Sequence, residues 1–152
     1  MSSLIGRVGN DALMQQNKAG FFASTRMQSD VVMRCYDWAT EVRNGDGCIV
    51  SGFSSTLERD VLHFLFKGEC PIVMVLARSM SLTFPEEWKS AADLGRLMIV
   101  STCRQQRQSP RSAMDRNQYI ADICDKLVFV GITEQGSLFP LTQLYKEKTT
   151  IL

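Results

Sequence analysis

Four short segments of the chain gather the hydroxyls, glycines and guanidinium groups that hold anions. The first is Ser24-Thr25-Arg26, two small hydroxyls and an arginine placed where a helix is about to start. Backbone N–H groups and the helix dipole favour a phosphate at such a point. The second is Ser51-Gly52-Phe53-Ser54-Ser55-Thr56. Glycine there permits close backbone approach, and several N–H groups and hydroxyls converge. The third covers residues 103–117, where Arg104, Arg107, Arg111 and Arg116 face one acid, Asp115, with glutamines and serines between them. It reads as an exposed basic loop for an anion. Its one nearby aromatic, Tyr119, is too little for a base-stacking platform. The fourth is Gly131-Ile132-Thr133-Glu134-Gln135-Gly136-Ser137, in which Gly136 and Ser137 read as the opening of the last helix and a further phosphate cradle.

Catalytic signatures are sparse by comparison. The single histidine, His63, sits between Leu62 and Phe64 in a helical pattern and reads as structural, which disfavours a Ser-His or Cys-His pair. No G-x-S-x-G, no G-x-x-x-x-G-K-[ST] and no G-x-G-x-x-G occurs, and Gly45-Asp46-Gly47 is a turn. Ser55-x-x-Glu58 has the spacing of a helix capping box. Glu58 is also the acid or base candidate if the chain is an enzyme. Glu86-Glu87 opens a helix, where negative charge suits the dipole. Cys35, Cys48, Cys70, Cys103 and Cys124 are odd in number and contain no C-x-x-C, so they read as free thiols in a reducing compartment. Scattered cysteines and one histidine build no zinc site. Neither a metal nor a cofactor is expected.

The elements that must position these loops follow from hydrophobic patterning. Apolar runs at residues 19–24, 48–51, 71–77, 97–101 and 126–131 read as buried strands, and residues 149–152 as the start of a sixth. Helical spacing covers residues 30–43, 57–67, 85–93, 115–124 and 137–146. Residues 1–17 read as an N-terminal extension of loop and a weak helical turn, and residues 18–152 as a single domain. Strands alternating with helices predict a Rossmann-like, doubly wound, mostly parallel sheet of five or six strands in three α/β/α layers. Such sheets bind ligands beyond the carboxyl ends of their strands, where all four segments lie.

Composition narrows the class without choosing a function. The 152 residues are 45% hydrophobic and 22% charged, with a net charge of +1. This is a globular composition with no bulk electrostatic pull toward nucleic acid. No apolar run reaches the roughly 18 residues of a membrane span. The polar start lacks a signal core, so a cytoplasmic protein with no membrane partner is expected.

The order of these segments resembles the Rossmann-like domain of the DNA-processing protein A (DprA/Smf) family, within the SLOG superfamily. Phe22-Ala23-Ser24-Thr25-Arg26 stands where the family has a strand ending in Gly-Ser-Arg. The stretch from Val50 through Ser51, Gly52, Phe53, Ser54, Ser55, Thr56 and Leu57 to Glu58 stands where it has S-G-x-A-x-G-x-D. Phe84-Pro85, with Leu94-Gly95-Arg96 leading into the strand that ends at Ser101, resembles its Y-P segment and following G-x-x-x-S-E strand. Arg116-Asn117-Gln118-Tyr119-Ile120-Ala121 resembles its R-N-R-x-I-A helix start, and Gln135-Gly136-Ser137-Leu138 its S-G-S/T-L. The family's loop arginine and second glycine are absent, and Glu58 replaces its aspartate. The P-G-G-x-G-T-x-x-E motif of the related LOG enzymes is absent too.

In that family the domain binds single-stranded DNA and helps load the recombinase. The resemblance implies an anion-binding surface at Ser24, Arg26, Ser51, Gly52, Arg116, Asn117, Gly136 and Ser137. With the residue-level reading, Thr25, Ser54 and Ser55 join it. The expectation is a stand-alone binding module for single-stranded DNA or a nucleotide, without catalysis and compatible with a homo-oligomer. The alternatives are a small nucleotide sensor or carrier, and a nucleotide-processing hydrolase using Glu58.

Overall fold

The five inner strands are largely apolar because both of their faces are covered. Along the second strand, Phe21 points to one face and Phe22 to the other, and both are buried. The fourth strand repeats this: Ile72 and Met74 face one layer, Val73 and Val75 the other. Such period-2 alternation with no polar face forces helices onto both sides of the sheet.

The computed structural model describes residues 6–25, 28–81 and 83–152. Its strands are β1 (Gly6–Gly9), β2 (Lys18–Ala23), β3 (Cys48–Ser51), β4 (Ile72–Leu76), β5 (Leu97–Ser101), β6 (Lys126–Val130) and β7 (Thr149–Ile151). Its helices are α1 (Ser29–Val42), α2 (Thr56–Phe66), α3 (Glu86–Asp93), α4 (Pro110–Ile123) and α5 (Phe139–Leu144). The strands form one sheet in the order β1-β5-β4-β3-β2-β6-β7. Every pairing is parallel except β1 with β5, where Arg7 stands opposite Val100. Helices α1, α2 and α3 pack on one face, and α4 and α5 contribute to the other. Trp38 of α1 stacks on Phe21 with ring centroids 4.9 Å apart, and Phe22 on Phe129 at 4.7 Å.

The doubly wound sheet agrees with the sequence reading, but it has seven strands rather than five or six. The unanticipated one is β1, inside the stretch read as loop. It is an edge strand of four residues, GRVG, three of them exposed, so it carries no hydrophobic alternation to read. Helix α4 starts five residues before the expected 115. Ser109 caps it by accepting from the Ser112 N–H, and Pro110 occupies the first turn.

The chain runs outward from β2 through β3 and β4 to β5, then returns past β2 to place β6 on its other side. The order therefore reverses between β2 and β6. The Ser24 N–H donates to the Val130 carbonyl at 3.1 Å, which carries the β2–β6 ladder up to the mouth of that switch point.

Candidate anion-binding cleft at the sheet switch point

Beyond the carboxyl ends of β2 and β6 the surface opens into a cleft of 430 Å³. Three strand-end loops and α4 supply its walls. Ser24 and Thr25 come from the loop after β2, and Ser54 and Ser55 from the loop after β3. Arg116 and Asn117 come from α4, and Gly136 and Ser137 from the loop after β6. Residues separated by more than a hundred positions thus converge where a doubly wound sheet binds ligands.

Arg116 is the electrostatic centre of the cleft. Only 4% of it is exposed. Its Nε donates to Asn117 Oδ1 at 2.8 Å, Nη2 to Ser54 Oγ at 3.3 Å and Nη1 to the Val75 carbonyl at 3.4 Å. Burial pushes the guanidinium's pKa down, and the nearby Glu58 carboxylate opposes that shift. Asn117, whose Oδ1 is held by Arg116, lines the cleft with its side-chain amide.

Glu58 fills the place an external anion would take at the α2 start. Its Oε2 accepts from the Ala23 N–H at 3.0 Å, and its Oε1 from Ser54 at 2.9 Å and Ser55 at 3.2 Å. The capping box read from Ser55 and Glu58 is present, and the carboxylate also ties the end of β2 to the loop after β3. The N–H groups that converge in this loop therefore already hold the protein's own carboxylate. A ligand must use the side-chain donors and the walls beyond them.

Ser51 and Gly52 do not line this cleft. Ser51 is fully buried, and its hydroxyl accepts from the Phe53 N–H at 3.1 Å. That bond steadies a residue in the left-handed region, Phe53 at φ 48°, whose ring is buried. Gly52 lies under the Arg116 guanidinium. A Cβ there would come within 2.1 Å of Nη1. The glycine makes room for the protein's own cation, a reason the sequence did not show, and it lines the neighbouring depression rather than this cleft.

The loop after β6 leaves the strand at Gly131, whose φ of 72° suits glycine. Gly136 and Ser137 precede the last helix instead of opening it, since α5 begins at Phe139 and is only six residues long. The cleft's hydroxyls at this side are Ser137 and Thr133, the latter not singled out in the sequence although it stands in the quoted loop. Gln108, at the end of the basic loop, also reaches the cleft. Arg104, Arg107 and Arg111 are exposed as expected, and Arg111 lies 3.8 Å from Asp115 on the helix surface. Arg26 falls outside the described residues. His63 is a surface residue, its ring nitrogen 3.8 Å from Glu87, not part of the core. Among the described residues no three His, Cys, Asp or Glu side chains gather as a metal site requires, and no helix is long and apolar enough to cross a membrane.

No protein-family model matches the chain, and no curated protein does. Solved structures do. The fold superimposes on DNA processing protein A (DprA) from Streptococcus pneumoniae with a TM-score of 0.74 at 14% identity, covering 95% of this chain and 52% of that one. It superimposes equally on DNA processing protein A from Helicobacter pylori, with a TM-score of 0.74 at 16% identity, covering 95% of this chain and 69% of that one. The latter was solved for its single-stranded DNA binding mode. The chain shares the fold of these proteins and spans about half the length of the first.

Proposed function

We propose that this chain is a binding module for the phosphate groups of single-stranded nucleic acid or a nucleotide, held in the cleft between β2 and β6, and that it performs no covalent chemistry there. The observation that carries the reading is Arg116: a guanidinium 4% exposed at the sheet's switch point, in a cleft lined by hydroxyls and the Asn117 amide. A buried cation that is hydrogen-bonded to neutral groups and has no ion pair among the described residues favours an anionic ligand. The likeness in fold to DprA structures supports nucleic acid as that ligand. The five thiols, all free, suit a reducing cytoplasm.

Glu58 supports binding over hydrolysis. Its two oxygens take three backbone hydrogen bonds, so it serves as a fixed strut rather than a group ready to move protons.

The testing experiment is a salt titration of affinity for an unstructured oligonucleotide and for a mononucleotide. An oligonucleotide held through several phosphates loses affinity with a log–log slope of about −0.7 per phosphate, whereas a mononucleotide loses much less. Failure to bind either one at low salt overturns the proposal.

A further inference from the structure

A second cleft, of 320 Å³, opens beside the first at the carboxyl ends of β3 and β4. The two share Ser54, Gln108 and Arg116, so they form one continuous depression. The second has a different chemistry. Met74, Leu76 and Phe53 contribute an apolar floor, the half-buried Trp88 of α3 stands on its wall, and Arg59 and Arg78 line it with Arg116. Among the described residues no acidic side chain lines it.

The cations are only partly satisfied within the protein. Arg78 uses Nη1 on the Ser79 carbonyl at 3.2 Å and the Ser81 hydroxyl at 2.6 Å, and its Nη2 and Nε have no partner among the described residues. Arg59, exposed on the first turn of α2, has no side-chain partner among the described residues. The basic loop is tied to this side of the molecule, since the Ser79 N–H donates to the Gln105 carbonyl at 2.7 Å and the Thr102 hydroxyl to the Leu76 carbonyl at 3.0 Å. Gln108, further along the same loop, lines both clefts.

An apolar floor with an indole beside it suits a flat aromatic ring, and convergent guanidinium groups suit phosphate. Resting on the reading of the first cleft as a phosphate site, we infer that the second cleft is a nucleotide subsite: a base lies against Trp88, its phosphate is held by Arg59 and Arg78, and the strand crosses between clefts over Arg116 and Gln108. The preferred ligand is then a single-stranded oligonucleotide of two or more nucleotides rather than a mononucleotide.

The test uses the Trp38→Phe variant, which leaves Trp88 as the only indole. Thymidine monophosphate and 5′-phosphorylated tetrathymidylate are titrated while the fluorescence of Trp88 is followed, with binding measured separately by calorimetry. The expected result is that the tetranucleotide binds at least tenfold more tightly and quenches Trp88, while the mononucleotide does not. Arg59→Ala, a surface change that spares folding, weakens the tetranucleotide three- to tenfold and leaves the mononucleotide as it was. Arg78→Ala does the same. Equal affinity for the two ligands with unchanged Trp88 emission overturns the subsite and leaves the first cleft standing. Binding of neither overturns both. Hexaglutamate that displaces the tetranucleotide at matched concentration and quenches Trp88 equally overturns the subsite in favour of an acidic peptide groove.

Discussion

The guanidinium of Arg116 rests on the bare backbone of Gly52, with Nη1 where a Cβ would need to be, 2.1 Å from its ideal position. One residue directly follows β3 and the other belongs to α4, so this contact joins two layers of the fold beside the cleft. It makes a single prediction with two parts. Gly52→Ala expels the guanidinium and destabilises the protein by about 1–3 kcal/mol, the cost of disrupting hydrogen bonds of a buried polar group. Arg116→Ala removes the same interactions, so the double variant loses far less than the sum of the two singles. Chemical denaturation of the four proteins checks this, and additive losses contradict it.

Glu58 predicts a loss of stability through neutralisation alone. Glu58→Gln keeps the shape but replaces one acceptor oxygen with an NH₂ group, which faces backbone N–H groups. At least one of the Ala23, Ser54 and Ser55 donors is left without a partner. A cost of about 1–3 kcal/mol follows, read as a lower denaturation midpoint with an unchanged slope. An unchanged midpoint shows that the strut carries no weight.

Asn117→Asp separates binding from folding. An aspartate oxygen still accepts from Arg116 Nε, so the arginine stays in place. The amide donor is lost and a negative charge enters the cleft that Asn117 lines. Affinity for a mononucleotide falls at least tenfold, while the stability changes by less than about 1 kcal/mol. Calorimetric titration with thermal unfolding of the same variant checks both halves.

The buried thiols predict a fall in stability at alkaline pH. Burial pushes Cys35, Cys48 and Cys124 from 9.0 up to about 12, and Cys70 upward as well. The unfolded chain ionises its thiols from about pH 9, while the folded chain keeps them protonated. The unfolded state therefore binds fewer protons, and stability is fully present below pH 9 and declines as pH rises from 9 toward 12. Each of the three thiols contributes a loss of about 1 kcal/mol by pH 10. Urea denaturation at pH 8 and pH 10 measures it, and a flat profile contradicts the protonated burial.

Much of this fold was legible because the strands are apolar on both faces, a pattern that length and flanking turns distinguish from helix. Cys48–Ser51 and Leu97–Ser101 match the expected strands residue for residue. The edge strand β1 was not legible, since a polar, exposed run pairs through its backbone and leaves no pattern in its side chains. The convergence of Ser24, Arg116 and Gly136 followed from the switch-point rule once the strands were assigned. What the residue types alone did not reveal is which anion each loop holds. Ser55 and Glu58 carry a capping signature, but that the same carboxylate reaches Ala23 depends on the distance between two loops. Gly52 likewise signals close approach without saying by what. The Trp88 cleft escaped notice because Arg59, Arg78 and Trp88, which set its chemistry, come from α2, the loop after β4 and α3 and belong to none of the four anion-holding segments.

The central claim is that the ligand sits at the carboxyl ends of β2 and β6, and amide chemical-shift mapping tests it most directly. Isotope-labelled protein is titrated with tetrathymidylate at low salt, and the perturbed backbone amides are assigned. The account predicts the largest shifts at Thr25, Ser54, Asn117, Thr133 and Ser137, with the opposite end of the sheet, around Trp38, Gly47 and Thr150, unmoved. Saturable shifts centred on Trp38, Gly47 and Thr150, with the switch-point loops silent, contradict it.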